Sequence, residues 1–253
     1  MAEIVQSIDR VFNILEVVAN SIEGITIKEI TEETKLHKST VHRLLYSLIQ
    51  KGYVVQDEAT SKYNITFKLY ELGMKKLENI DLVRVARPYV EELMNKVGEV
   101  VHLVIRDKND VVYVDKVESK NTIRMYSTIG SRTPLYCSSV GKAILAYSNE
   151  TDIEKVWNSS NIKKFTPTTI IDYEDFLEEL VKIKRLGFAE DNEEHEEGVR
   201  CIGSPIFNIN GNVEGAISVS GPSNRIIDSR INEIAENVKY YSKKISEELG
   251  YKI

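Results

Sequence analysis

The first 65 residues constrain the fold more than any other part of the sequence, because short amphipathic segments alternate there with polar breaks. Apolar residues recur at helical spacing over 4–18, and a polar stretch then interrupts the pattern. Thr26 and Glu29 have the spacing of a capping box, in which each side chain bonds the other residue's backbone N–H. This pair predicts a second short helix over 27–34.

A third helix and a hairpin complete this segment. The helix is predicted to begin at Ser39 and to stop before Lys51. Two strand-like runs, 53–56 and 62–65, flank a polar turn. Three short helices followed by a hairpin is the order of a winged helix-turn-helix, which we predict over 1–65.

The rest of the chain alternates helical and strand-like patterns. A helix over 67–77 is interpreted as a connector within 66–80, and 81–253 as a second domain. Strands are predicted at 100–106, 111–117, 122–127, 188–190, 202–209 and 213–220, and helices at 82–96, 141–147, 173–185 and 227–249. Because an Asn-Gly-Asn turn at 210–212 joins neighbouring strands, we expect an α+β fold with a largely antiparallel sheet flanked by helices.

Charge is distributed unevenly along the chain. The net charge of −6 excludes a wholly basic nucleic-acid binder, yet residues 35–56 contain no Asp or Glu and four Lys or Arg residues. A helix that enters the major groove needs polar donors on its exposed side and apolar residues behind it. The candidate DNA-binding residues are Lys38, Ser39, Thr40, His42, Arg43 and, in the wing, Lys62. A protein-interaction module with a basic face remains an alternative at this point.

Enzymatic function has little support in the sequence. The nucleophile elbow GxSxG and the nucleotide-binding patterns GxxxxGK[ST] and GxGxxG are all missing. Cys201 and His195 are a conceivable thiol–imidazole pair, but no third residue that would orient them is apparent. We therefore predict a protein that is not an enzyme and uses no cofactor.

Metal binding and export are also weakly indicated. Cys137 and Cys201 do not form a CxxC motif, and the acidic run near His195 has no fixed ligand spacing, so it is interpreted as a solvated loop. A metal sensor remains an alternative to a sensor of an organic acid. Neither a signal peptide nor an apolar run of roughly 18 residues is present, so we expect no membrane partner, a cytoplasmic location and free thiols.

Several motifs go beyond generic pattern and resemble the IclR family of transcriptional regulators. Those of the N-terminal part lie at 5–15, 36–45 and 51–54, and those of the C-terminal part at 141–146, 193–202 and 215–222. The motifs follow the family's order and spacing across nearly the whole chain. The resemblance implies a GAF-like effector domain, regulation of carbon catabolism by a small metabolite, and dimers or tetramers on palindromic double-stranded DNA.

The resemblance also implies an effector site. Carried over by motif, its residues are Ser139, Val140, Asp191, Cys201, Ser218 and Ser220. The family often has small residues such as Gly and Ala where this chain has Ser139 and Val140, and the larger side chains would either narrow the pocket or change the approach of its backbone. Ser218 and Ser220 alternate on one predicted strand and therefore face the same side. Without the resemblance, these residues would be interpreted as ordinary members of a packed core.

Overall fold

The protein is described here by a computed structural model, which covers residues 5–78, 81–119, 121 and 127–252. It folds into two compact units, 1–79 and 80–253. A strand is predicted at 122–127, and residues 122–126 of it lie outside the described residues.

Over residues 5–78, the N-terminal unit consists of four helices and one hairpin. Its elements are α1 Gln6–Ala19, α2 Ile27–Thr34, α3 Lys38–Gln50, β1 Val54–Gln56, β2 Tyr63–Ile65 and α4 Lys68–Glu78. The two strands pair antiparallel, with Val55 opposite Asn64. The order of three helices followed by a hairpin is the one that the sequence predicts.

Local chemistry determines where α2 begins and ends. The backbone N–H of Thr26 donates to the Glu29 carboxylate over 2.8 Å, and the Glu29 N–H donates to the Thr26 hydroxyl over 3.4 Å. Lys35 follows the helix in the left-handed conformation at φ 55°, which turns the chain into α3. The predicted capping box is confirmed.

The core of this unit lies where the inner faces of the first three helices meet the hairpin. Helix α3 contributes Val41, Leu44, Leu45 and Leu48, and all of them are buried. Ile14 and Val18 of α1 pack into the same cluster, together with Ile30 of α2 and Tyr63 of β2. The basic N-terminal turns of α3 are thereby left on the opposite, outer side.

The C-terminal unit is built around a six-stranded sheet. Its helices are α5 Asp81–Val97, α6 Ser139–Leu145, α7 Glu150–Ser159, α8 Tyr173–Leu186 and α9 Asp228–Glu248. Its strands are β3 Val100–Asp107, β4 Asp110–Val117, β5 Arg132–Pro134, β6 Ala189–Asn192, β7 Val199–Phe207 and β8 Val213–Pro222. The strand order is β5-β4-β3-β8-β7-β6, and every neighbouring pair is antiparallel, as predicted.

Helices cover both faces of this sheet. Ala216 of β8 belongs to the core cluster that contains α6, α7 and α8. Ser204 of β7 faces the other way and makes a 2.9 Å hydrogen bond with Ser242 of α9. Since successive side chains of a strand point to opposite faces, α6 and α9 lie on opposite sides of the sheet.

Among the α-helices and strands, two elements were not anticipated from the sequence, and several begin earlier than expected, β7 by three residues. Helix α7 and the short strand β5 had no predicted counterpart. Helix α6 begins at Ser139, two residues before the predicted start, because the Ser138 hydroxyl caps it by accepting from the Gly141 N–H over 3.2 Å.

Candidate functional site

The outer face of α3 carries most of the predicted DNA-binding residues. Lys38, Ser39, His42 and Arg43 are exposed in the first two turns of the helix. Their side chains offer hydroxyl, imidazole, ammonium and guanidinium groups, the donors that read base edges or neutralise phosphates. No acidic side chain lies within this helix to offset their charge.

Two members of the predicted set are less accessible. Thr40 is half-buried, which corrects the expectation that it lies on the exposed side beside Arg43. Lys62 is also half-buried, and its ammonium lies 3.4 Å from the backbone carbonyl of Glu23, to which it donates. For Lys62 to reach a phosphate, its side chain would have to leave this carbonyl.

The six residues of the predicted effector site lie on the wall of one cavity of about 190 Å³ in the C-terminal unit. Ser139 and Val140 come from the start of α6, Asp191 from β6, Cys201 from β7, and Ser218 with Ser220 from β8. The structure therefore brings together residues that are up to 81 positions apart in the sequence. Their role in binding a ligand stays a prediction.

Strand register explains this convergence. Asp191 is opposite Cys201, and Cys201 is opposite Ser220, so the three side chains form a row across the sheet. Gly203, which is opposite Ser218, lets α6 pack closely against the sheet. A Cβ atom at Gly203 would lie 3.0 Å from the Ser139 carbonyl carbon and 3.0 Å from the Val140 nitrogen. Because Gly203 has no side chain, the start of α6 can lie next to the cavity.

More residues line the cavity than sequence reasoning identified. The additional ones are His102, Tyr113, Ser127, Ser131, Arg132, Thr133, Ser138, His195, Glu196 and Val199. His102 is the most informative of them, because it stands opposite Ser218 in the pairing of β3 with β8. Only that long-range pairing reveals its position.

His102 is a buried imidazole with two hydroxyl partners. Its Nδ1 lies 3.2 Å from the Ser220 hydroxyl, and its Nε2 lies 2.7 Å from the Ser127 hydroxyl. Burial, together with the nearby Lys116 ammonium, lowers the pKa of His102 to about 3. The ring is therefore neutral at physiological pH, and it packs edge-on against Tyr113 at 5.0 Å between centroids.

Asp191 is a buried carboxylate in the same cavity. Its Oδ1 accepts from the Glu194 backbone N–H over 2.7 Å. Burial raises its pKa to about 7, and the nearby Glu194 carboxylate adds to the rise. Burial thus favours the protonated form of this carboxyl group.

The acidic run after β6 is not simply a solvated loop. Glu194 is buried, and its carboxylate contacts the ammonium of Lys142, a fully buried residue of α6. Thr169 donates to the Glu194 carbonyl over 2.6 Å. Burial raises the pKa of Glu194, and the Lys142 charge partly offsets the rise. This buried ion pair fixes the loop that carries His195 and Glu196 at the cavity.

The cysteine chemistry of the cavity does not favour a nucleophile. Cys137 and Cys201 are both free thiols. Burial is the main reason that the pKa of Cys201 is raised far above its usual range, so the thiol stays protonated. Burial also lowers the pKa of His195, which lines the same cavity. Among the described residues, no group of three His, Cys, Asp or Glu side chains is arranged to hold a metal ion.

These features define a class of protein. One unit is a winged helix-turn-helix with a basic recognition helix, and the other surrounds a small polar cavity, as in a regulator of transcription that responds to a ligand. The family models for the IclR helix-turn-helix domain and for the bacterial transcriptional regulator IclR C-terminal domain match residues 7–58 and 74–247. The chain belongs to the IclR family of transcriptional regulators.

Individual relatives agree with this assignment along nearly their whole length. The HTH-type transcriptional regulator KdgR of Escherichia coli is 37% identical over 247 residues, which cover 98% of this chain and 94% of KdgR. The crystal structure of the Thermotoga maritima IclR is 31% identical, with a TM-score of 0.85, over 98% of this chain and 100% of that one.

A third relative shares the fold at lower identity. It is an IclR homolog from Microbacterium hydrocarbonoxydans, solved in complex with 4-hydroxybenzoate. It is 22% identical, with a TM-score of 0.83, over 96% of this chain and 98% of that one.

Within the described ranges, we find no helix with the length and hydropathy that a membrane span requires.

Proposed function

We propose that this regulator binds palindromic operators as a dimer or tetramer, and that a small organic acid bound in the cavity modulates operator affinity. The cavity is the main support for this proposal, because all six residues that the family motifs indicate line it. Residues 1–65 would bind DNA, 66–80 would act as the connector, and 81–253 would bind the effector. Because its proposed target is DNA, we place the protein in the cytoplasm. We propose no enzymatic role for it.

The size and chemistry of the cavity favour a small, oxygen-rich ligand. A volume of about 190 Å³ is below the roughly 300–1,000 Å³ of typical ligand pockets, which indicates a small metabolite. Ser139, Ser218 and Ser220 supply hydroxyl donors. Asp191 would repel a carboxylate only in its ionised form, so its raised pKa makes an acid easier to accommodate. The fold also accommodates 4-hydroxybenzoate in the Microbacterium homolog.

The DNA-binding role is tested with Arg43→Ala. If Arg43 reads a guanine in the major groove, the substitution weakens operator binding by roughly 1–3 kcal/mol at fixed salt. Fluorescence anisotropy on an operator selected from random duplexes measures this loss. Lys243→Ala removes one exposed positive charge from α9 and is the matched control. Equal affinities of wild type and Arg43→Ala would show that α3 is not the reading helix.

The effector role is tested by thermal shift with a panel of small aliphatic and aromatic acids. Binding to the folded state raises the melting temperature by mass action. The double variant Ser220→Ala/Cys201→Ala is expected to lose this shift and to keep operator affinity, because it changes only the cavity wall. A response that survives the double substitution would place the effector elsewhere.

A further inference from the structure

The cavity contains a hydrogen-bond chain in which one neutral imidazole determines what a neighbouring serine offers. A neutral histidine has one N–H donor and one bare acceptor nitrogen. His102 contacts a serine hydroxyl at each nitrogen, Ser220 at Nδ1 and Ser127 at Nε2. One of these hydroxyls must therefore donate to the ring, and the other must accept from it.

The two possible tautomers have opposite consequences for Ser220. With the proton on Nδ1, the ring donates to the Ser220 oxygen, and the Ser220 proton is free to point into the cavity. With the proton on Nε2, the Ser220 hydroxyl donates to the bare Nδ1 and offers the cavity only lone pairs. The first tautomer suits a carboxylate or carbonyl oxygen of a ligand, and the second suits a ligand donor.

The charge distribution around His102 selects the first tautomer. The Lys116 ammonium donates to the Ser127 backbone carbonyl over 2.8 Å, while the Ser127 hydroxyl contacts Nε2 over 2.7 Å. The cation thus lies on the Nε2 side of the ring, where it stabilises a bare, electron-rich nitrogen. Glu118 also contacts Lys116, but its side chain is half exposed to water and screens this effect only partly.

We propose that His102 is a positioning residue of the effector site: protonated on Nδ1, it directs the Ser220 hydroxyl proton towards a carboxylate or carbonyl oxygen of the effector. The inference rests on the proposed role of the cavity in binding an effector. Cys201, opposite Ser220 in the sheet, supplies only a weak sulfur acceptor for that proton, so a ligand oxygen readily replaces it.

The tautomer is measured directly, without a ligand. The 253-residue chain has four histidines, so ¹⁵N-histidine labelling and long-range ¹⁵N–¹H correlation spectra resolve each ring, and His102→Asn assigns the signals of His102. We expect a protonated Nδ1 and a bare Nε2 from about pH 5.5 to about pH 8. A proton on Nε2, or a charged imidazolium in this range, would overturn the inference.

The effect on ligand preference is measured with a matched pair, 4-hydroxybenzoate and 4-hydroxybenzyl alcohol. Wild type is expected to prefer the carboxylate. His102→Leu is expected to lose about tenfold to hundredfold affinity for it, with little change for the alcohol, because the ring no longer holds the Ser220 hydroxyl with its proton towards the charged group. His102→Asn, whose amide N–H can take the place of Nδ1–H, restores the preference.

Controls separate this inference from the proposed function. Circular dichroism verifies that each variant is folded, and a His102→Leu protein that keeps the full carboxylate preference would contradict the inference. If neither compound nor any acid of the panel binds wild type, the proposed effector role fails, while the nitrogen spectra still decide the tautomer.

Discussion

Asp191 lines the cavity, and burial there raises the pKa of its carboxyl group. In the folded state its pKa rises from 3.8 to about 7, so between these values the folded state binds more protons than the unfolded state. The free energy of unfolding contributed by Asp191 therefore falls as the pH rises through this window. Above about pH 7 the full cost of the buried charge is present.

The Asp191→Asn variant is expected to remove this cost. Relative to wild type, it gains little at about pH 4 and gains progressively up to about pH 8, where linkage sets an upper limit of about 4 kcal/mol. The amide oxygen of Asn can still accept from the Glu194 N–H. Urea unfolding across this pH range measures the difference.

Glu196→Gln is the matched control, because Glu196 lines the same cavity but is exposed to solvent. The control is expected to show no comparable pH-dependent gain. A stability difference between wild type and Asp191→Asn that is constant from pH 4 to pH 8 would contradict the assigned role of burial.

For individual residues, the sequence predicts which positions belong to family motifs. It does not predict which charged or polar side chains are buried or what they pair with. The six cavity residues follow family motifs and converge as expected. Glu194 lies in a strongly acidic run, a pattern typical of a solvated loop, yet it pairs with Lys142 from 52 residues earlier. His102 was missed because its position at the cavity depends on a strand pairing across more than 110 residues. Neither pairing leaves a local pattern in the sequence.

At the scale of elements, the junction of α6 with β7 depends on Gly203. A Cβ atom there would approach the backbone of Ser139 and Val140 to 3.0 Å, so the start of α6 would have to shift by a few tenths of an ångström. We predict that Gly203→Ala destabilises the protein by about 1–3 kcal/mol, as overpacking does, and weakens effector binding. Thermal unfolding and the acid panel measure the two effects.

Gly73→Ala provides the control for the substitution itself. Gly73 lies within α4, and among the described residues no atom outside the adjoining helix backbone lies within 4 Å of the position that an alanine methyl group would take there. At this site the change is expected to stabilise by about 0.5–1 kcal/mol, since alanine favours helix. A Gly203→Ala protein as stable as wild type, with unchanged effector binding, would show that α6 does not need this close approach.

Local signals explain which elements were predictable. The capping box of helix α2 lies within four consecutive residues, 26–29, and the helix begins and ends at the predicted residues. Helix α7, which has no predicted counterpart, carries comparable signals: Asn149 caps it by accepting from the Asp152 N–H, and Ile153 and Val156 form its buried side. Strand β5 has only three residues, and it exists because it pairs with β4. Such a short strand is defined by its neighbour and not by its own sequence.

At the scale of the whole molecule, recognition of a palindrome requires two copies of the N-terminal unit. A single DNA-binding module buries about 600–1,000 Å², and a twofold-symmetric protein doubles this contact on two half-sites. In the N-terminal unit, α1 leaves Ile8 and Phe12 more than half exposed, and Phe67 and Tyr70 are exposed at and near the start of α4. These apolar side chains are the proposed surface between protomers.

The double variant Ile8→Glu/Phe12→Glu tests this assembly, because it places two charges on the proposed surface and leaves α3 unchanged. We expect wild type to sediment as a dimer or tetramer at micromolar concentration, and the variant to shift towards monomer and to bind a palindromic operator at least about tenfold more weakly. Ile22→Glu is the matched control, since Ile22 is 99% exposed in the turn after α1. If wild type is a stable monomer with and without DNA, α1 does not mediate assembly and the palindrome must be read by another arrangement. If the double variant and the control have equal operator affinities, the exposed apolar side of α1 has another role.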